Sequence, residues 1–503
     1  MQIENFEKIN TLGELKKAGY RPRSIKEELR VNLIYKIKNK KNIFPGIIGY
    51  DHSVIPDLQR AILAKHNITL LGLRGQAKTR IARQMIELLD EYVPAIEGSE
   101  LNDDPLKPIS RYAFDLIKEK GDNTPIYWIH RSERYTEKLA TPDVSVADLV
   151  GDVDPIKAAS LKIPYSDERV IHFGLIPRSH RCIFVINELP DLQARIQVAL
   201  FNILQEGDMQ IRGFKIRLPL DIQFVFTANP EDYTNRGAIV TPLKDRVESQ
   251  ILTHYPKSIE LAKMITAQEA KIPIESKEQV YVHDLIKDII EQISFEARKS
   301  EYIDPKSGVS ARLSISAYEN LISSAERRML ITNEDATFAR ISDLSGVVPA
   351  VTGKIELVYE GEQEGSAKVA YNLMGKAIRS QFTYYFPNPE DSKKKQDVSP
   401  YQKIINWFSA GNKIDLLLDD KTSQYEKRLM AVSGLKDLVK IYHPGADHKT
   451  SLLFMEFVLF GLAEYSFLTK YHLEHSIQFK DLFSSMFTIS GGEEEDTDLE
   501  SYS

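Results

Sequence analysis

The sequence predicts an α/β protein: a mainly parallel sheet carrying a phosphate-binding loop, followed by an α-helical lid and a further, mostly helical C-terminal region. Three observations lead there. Between about residue 45 and residue 255, short β-branched runs (Asn67–Leu73, Pro125–His130, Arg181–Ile186 and Asp221–Ala228) alternate with helical patterns, the arrangement of a parallel sheet with crossover helices. A Gly-rich stretch ending in Lys-Thr, Gly72-Leu73-Arg74-Gly75-Gln76-Ala77-Lys78-Thr79, stands between the first of these runs and the helical pattern Ile81–Tyr92. From residue 257 onward apolar residues recur at helical spacing, as in Val282-His283-Asp284-Leu285-Ile286-Lys287-Asp288-Ile289-Ile290.

Residues 1–43 read as a basic N-terminal segment. Lys16, Lys17, Arg21, Arg23, Lys26, Arg30, Lys36, Lys38, Lys40 and Lys41 surround Leu29, Leu33, Ile34 and Ile37, an amphipathic helix with a basic face. Glu27 and Glu28 interrupt that face, so it reads as a solvated surface docked on the next domain and not as a nucleic-acid or membrane patch. Phe44-Pro45-Gly46 ends the segment. Residues 44–256 then form the α/β nucleotide-binding domain, 257–335 the helical lid and 336–490 the mostly helical C-terminal region, with Pro387–Pro400 as a polar loop or linker. The most apolar stretch, Ser451–Phe467, contains Glu456 and Glu464 and is short for a bilayer, so it reads as a buried helix. The acidic tail, 491–503, cannot bury apolar surface and is expected to be disordered.

With 503 residues, 42% hydrophobic and 27% charged, the chain suits a soluble globular protein of several domains. Lys+Arg 65 against Asp+Glu 72 gives a net charge of −7, and six of the acids lie in Gly491–Glu500, so the rest of the chain sums to −1. No bulk positive field argues for a nucleic-acid partner. A single cysteine, Cys182, excludes an internal disulfide framework and a cysteine-built metal cluster. Met1–Glu7 has neither the basic nor the apolar region of a signal peptide, so a cytoplasmic protein without a membrane span is expected.

Strand, Gly-rich loop, Lys-Thr and helix together are the context of a P-loop. The backbone of Gly72, Arg74, Gly75, Gln76 and Ala77 can wrap phosphates, and the helix N-terminus adds a favourable dipole. Lys78 neutralises β/γ charge and Thr79 ligates magnesium, so ATP and Mg2+ are the expected cofactors. Ala77 stands where the final Gly is usual; alanine has the smallest side chain after glycine, so the loop can still close if φ is negative there. The run Arg181–Ile186 ends in Asn187-Glu188, where ATPases of this type place Asp-Glu. Glu188 is the candidate base for the attacking water. Asn187 can hold a metal-bound water but supplies no charge, so weaker magnesium binding and slower turnover are expected. The next strand ends at Asn229-Pro230-Glu231, where Asn229 can orient that water. Arg246, in Leu243-Lys244-Asp245-Arg246, and Arg312, in Gly308-Val309-Ser310-Ala311-Arg312-Leu313-Ser314, each read in isolation as surface residues.

Taken in order, these pieces resemble the AAA+ ATPases, specifically the MoxR and magnesium-chelatase I-subunit branch, from about Phe44 to Arg328. Phe44-Pro45-Gly46-Ile47-Ile48-Gly49-Tyr50 resembles that branch's box beside the adenine, which puts Ile48 at the nucleotide, and its P-loops commonly carry the Ala seen at 77. Asp148–Asp154 with Phe173–Arg178 resembles the branch's helix-two insertion, and Gly207–Arg217 the hairpin before the sensor strand. The resemblance implies a P-loop AAA+ core with Asn229 as sensor one, Arg246 as an arginine finger reaching a neighbour's γ-phosphate, and Arg312 as sensor two on the lid. It implies a homo-oligomeric ring, a hexamer, that hydrolyses ATP to remodel or activate a protein partner carrying a von Willebrand factor A domain. Three alternatives stand beside it. One is the ATPase subunit of a metal chelatase. A transcription activator would need a Gly-Ala-Phe-Thr-Gly-Ala loop, which is absent, and a DNA-binding helix-turn-helix. A nucleotide-gated scaffold with little turnover is supported by Asn187 alone.

Overall fold

The computed structural model describes residues 6–164, 168–206, 208–210, 217–230, 239–391 and 399–482. The chain divides into two compact units, Met1–Tyr255 and Pro256–Ser503. In the first, β1 (Ile68–Leu71), β2 (Tyr135–Leu139), β3 (Cys182–Asn187), β4 (Ile222–Ala228) and β5 (Ser249–Leu252) pair in the order β5-β1-β4-β3-β2, all parallel. The α/β class and the parallel sheet are those the sequence predicts. β3 shows why a central strand reads as an apolar run: Ile183 and Val185 enter the core on one face, Phe184 and Ile186 the core on the other. Helices Ile25–Lys38, Val54–Leu63 and Lys78–Gln84 cover the first face through Leu29, Leu58 and Ile81. Ala194–Glu206 and Thr241–Arg246 cover the second through Ile196, Leu200 and Leu243.

Three strands differ from the sequence reading. Pro125–His130 does not join the sheet: Ile126–His130 pairs antiparallel with Tyr92–Ile96 in a separate ribbon. Its expected place is taken by β2, whose residues Tyr135-Thr136-Glu137-Lys138-Leu139 are polar because an edge strand is only partly covered. β5 forms the opposite edge and lacks a long apolar run for the same reason. The basic helix also departs in detail. Ile25, Leu29 and Leu33 face the core, whereas Ile37 is exposed, and Glu28 points inward instead of interrupting the solvated face. Buried Glu28 makes a two-pronged ion pair with buried Arg134, both bonds 2.7 Å long.

In the regions assigned to the insertion and the pre-sensor hairpin, Gly151–Val153 pairs antiparallel with Ile171–Phe173, and Asp208–Gln210 with Arg217–Pro219. Residues 207 and 211–216 of that hairpin lie outside the described residues.

In the second unit, residues of the expected lid and of the C-terminal region contribute to one hydrophobic core, running from Leu285 to Phe479. The helix His448–Glu464 is almost wholly buried, as the apolar stretch predicts. Its Glu456 is buried and satisfied: it accepts from the backbone of Ile341 at 2.6 Å and Ser342 at 3.1 Å, and from Tyr425 Oη at 2.8 Å. A three-stranded antiparallel sheet, with Ser476–Asp481 between Ile414–Leu417 and Leu468–Leu473, adds a β element that the helical period does not announce. Among the described residues no helix is long and apolar enough to cross a membrane. Residues 392–398 of the polar linker and the tail 491–503 lie outside the described residues.

Candidate functional site

β1 lies between β5 and β4, where the strand order reverses, and open parallel sheets bind ligands at the carboxyl ends of strands at such a point. The Gly-rich loop leaves β1 there and turns into the helix Lys78–Gln84. Gly75 has φ +74° and Ala77 φ +56°. The condition of a negative φ at Ala77 is therefore not met, and the loop closes with a positive one. Ala77 is the cap from which the chain enters the helix, and that turn needs a left-handed residue, which is the physical reason glycine is usual there. Gly72 has a steric reason of its own. A Cβ at this position would lie 1.9 Å from Thr253 Oγ1 and 2.2 Å from Gln76 Oε1.

The loop is pinned by residues from outside it. Tyr50 Oη shares its one proton between the carbonyl oxygens of His254 at 2.7 Å and Gln76 at 3.0 Å, Tyr255 Oη donates to Arg74 O at 3.0 Å, and Thr253 Oγ1 donates to Gln76 Oε1 at 2.7 Å. Burial pushes the Tyr50 hydroxyl up to about 12, so it remains a donor at neutral pH. Sequence reasoning missed Thr253 and Tyr255. Their only signal was that they follow the short strand β5.

Lys78, buried at the loop's end, donates from Nζ to Gly72 O, to Leu73 O at 3.0 Å and to Asn229 Oδ1 at 2.8 Å. Asn229 in turn donates from Nδ2 to Glu188 Oε2 at 2.8 Å. Glu188 follows β3 in a left-handed conformation (φ +56°), a strained backbone of the kind that gathers at working sites. Thr79 Oγ1 lies 3.4 Å from Asn187 Oδ1. The structure thus brings Lys78, Thr79, Asn187, Glu188 and Asn229 together at the carboxyl ends of β1, β3 and β4. Ile48 is half-buried in the segment leading to Tyr50.

One more acid belongs to this cluster. Glu137, on β2, accepts from Asn187 Nδ2 at 2.7 Å, from Arg83 Nε and Nη2 at 2.8 and 3.0 Å, and from Tyr135 Oη at 3.0 Å. Burial opposes its charge, yet the Arg83, Tyr135 and Asn187 bonds and the Arg83 charge hold its carboxyl below the usual range.

Arg246 ends the helix Thr241–Arg246 just before β5, donating to Pro242 O at 3.0 Å and lying 3.6 Å from Asp245 Oδ2. Since Ser249 is in register with Ile68, this is the amino end of the strands, opposite the Gly-rich loop. Arg312 opens the helix Arg312–Thr332 of the second unit.

No protein-family model matches the chain. Among solved structures it is similar to a magnesium chelatase BchI–BchD complex (20% identity, 64% of this chain and 98% of that one, TM-score 0.33). It is also similar to NtrX from Brucella abortus (14% identity, 58% of this chain, TM-score 0.31) and to Hsp104 with ATPγS and FITC casein (12% identity, 65% of this chain, TM-score 0.37). The chain spans about half the length of these last two, 55% and 53%. All three likenesses are weak.

Proposed function

We propose that this chain is an AAA+ ATPase that binds ATP with Mg2+ at its P-loop, hydrolyses it, and works as a ring of identical subunits to remodel or activate a protein partner. The observation that carries the reading is the convergence of Lys78, Thr79, Glu188 and Asn229 at the switch point of a parallel sheet. A loop of backbone amides running into a helix N-terminus suits a triphosphate, and Lys78 adds its positive charge there. Glu188 is the base for water. Asn229 holds the Glu188 carboxylate with one end of its amide and the Lys78 ammonium with the other, so the base and the phosphate-binding cation share one positioning group.

For the metal, Thr79 Oγ1 and Asn187 Oδ1 are neutral oxygen donors, and Mg2+ takes few protein oxygens beside phosphates and waters. Among the described residues no group of three or more His, Cys, Asp or Glu could hold a metal alone. The pair therefore fits a Mg2+ that arrives with the nucleotide, where it would offset charge on the β- and γ-phosphate oxygens.

Arg246 supports the ring. It stands at the far end of the strands from its own P-loop, about 13 Å away for a four-residue strand, so a nucleotide it serves belongs to another copy. On this reading Arg312 is the sensor-two residue, the ring is a hexamer, and the partner carries a von Willebrand factor A domain. The metal-chelatase subunit is the second enzymatic reading, and a subunit of that kind would be stimulated by its larger chelatase partners and not by an A-domain protein.

ATP turnover measured beside light scattering on a sizing column, with and without ATP, tests the proposal. Turnover with an ATP-stabilised oligomer is expected. Arg246→Ala and Glu188→Gln should each keep ATP binding and lose turnover, and mixing the two should restore part of it, because one interface then joins an intact Glu188 to an intact Arg246. Near-normal turnover in Arg246→Ala alone would remove the argument for a ring.

A further inference from the structure

Asn187 is an amide where a carboxylate is usual, and an amide has two unlike ends. Only its oxygen can accept from a hydroxyl or from a metal-bound water; its NH2 can only donate. Which end faces Thr79 therefore decides whether the residue can serve the metal at all. One contact fixes it and a second agrees with it. Thr227 Oγ1, which accepts from the backbone N of Glu188 at 3.2 Å, keeps its one proton to donate to Asn187 Oδ1 at 3.0 Å, a contact that agrees with an oxygen on that side. On the other side, Glu137 accepts at 2.7 Å and an ionised carboxylate can only accept, which requires the NH2. Arg83, on the P-loop helix, grips Glu137 with two bonds and keeps it ionised.

Resting on the ATPase reading above, we infer that Glu137 is a positioning residue for the metal site: it turns the Asn187 amide so that Oδ1 faces Thr79 and can accept from a Mg2+-bound water. A carboxylate thus stands on the strand beside β3, as the clamp on a neutral ligand. Because Arg83 balances the charge of Glu137, the acid acts through orientation and not through its field at the metal. Groups that orient a metal ligand without touching the ion typically govern 10–100-fold in metal affinity.

The test reads Mg2+ linkage of nucleotide binding, not turnover. The quantity is the ratio of dissociation constants for a fluorescent ATP analogue in EDTA and in Mg2+, measured on the full chain with thermal unfolding alongside. Glu137→Ala is expected to lower the ratio about tenfold. Glu137→Gln, whose carbonyl can still accept from Asn187, should keep it within about threefold, although a field effect of the carboxylate would be lost. The decisive variant is Glu137→Ala with Asn187→Asp. A carboxylate has two like oxygens and needs no orienting, so the ratio should recover even where the lost strand contacts still lower the unfolding temperature. Glu137 is on an edge strand with its side chain 21% exposed, and Glu137→Thr, too short to reach Asn187, replaces Glu137→Ala should that variant not fold. An unchanged ratio in Glu137→Ala, or no recovery in the double variant, overturns the inference. A wild-type chain with no Mg2+-dependent nucleotide affinity overturns the ATPase reading itself, a different and separable result.

Discussion

Ala77→Gly should stabilise the first unit. Ala77 has φ +56° and ψ 16°, and an L-residue with a Cβ held in the left-handed region costs about 1–2 kcal/mol that glycine does not incur. Against this, glycine loosens the unfolded chain, which costs about 0.4–1 kcal/mol. The difference leaves a net gain of about 0.5–1 kcal/mol. For a unit of this size that corresponds to a rise of about 1–4 °C in unfolding temperature. The side chain is exposed, so no packing is lost to blur the balance. Calorimetry without nucleotide reads the shift directly, and parallel titration of ATP shows whether relieving the loop also changes affinity. If the unfolding temperature is unchanged or falls, Ala77 does not occupy the left-handed region in the free protein, and the account of the loop's closure is wrong.

Two other changes test the same unit. Lys78→Ala removes the charged donor from a loop that otherwise offers neutral amides, about 1.5–3 kcal/mol for a charged hydrogen bond, so ATP should bind roughly 10–150-fold more weakly by calorimetry. Asp221, which caps the approach to the N-terminal helix by accepting from Ile25 N at 2.8 Å, is pushed up by burial to about 6 from its ordinary 3.8. A carboxyl raised in the folded state costs stability as pH rises: the unfolded chain ionises first, near pH 4, and the full cost, about 2–3 kcal/mol, is present above pH 6. Asp221→Asn should therefore raise the unfolding temperature at pH 7–8 and lose that advantage towards pH 5, whereas a difference constant across this range would mean that Asp221 is not raised.

What the sequence discloses about this site follows from how each residue acts. Lys78, Thr79 and Glu188 follow strands that are buried along their whole length and mostly apolar, so the run and the residues after it could be read along one segment. β2 could not be read that way. It is an edge strand, its alternation is polar, and the stronger apolar run at Ile126–His130 drew the assignment to a ribbon that stands apart from the sheet. Missing β2 hid Glu137, and without Glu137 the amide at 187 looks like a simple loss of charge. Paired across the strands, with Leu139 beside Asn187 and Glu137 two residues behind it on the same face, the substitution has a different meaning. A carboxylate at 187 would face that of Glu137 across the 2.7 Å now spanned by a donor, and like charges that close share a proton. Asparagine at 187 is therefore the residue that an ionised Glu137 requires. The slow turnover expected from Asn187 rests on its lack of charge, which orientation does not alter, whereas its capacity to accept from a metal-bound water depends on Glu137; the magnesium dependence of nucleotide binding is where the two effects part.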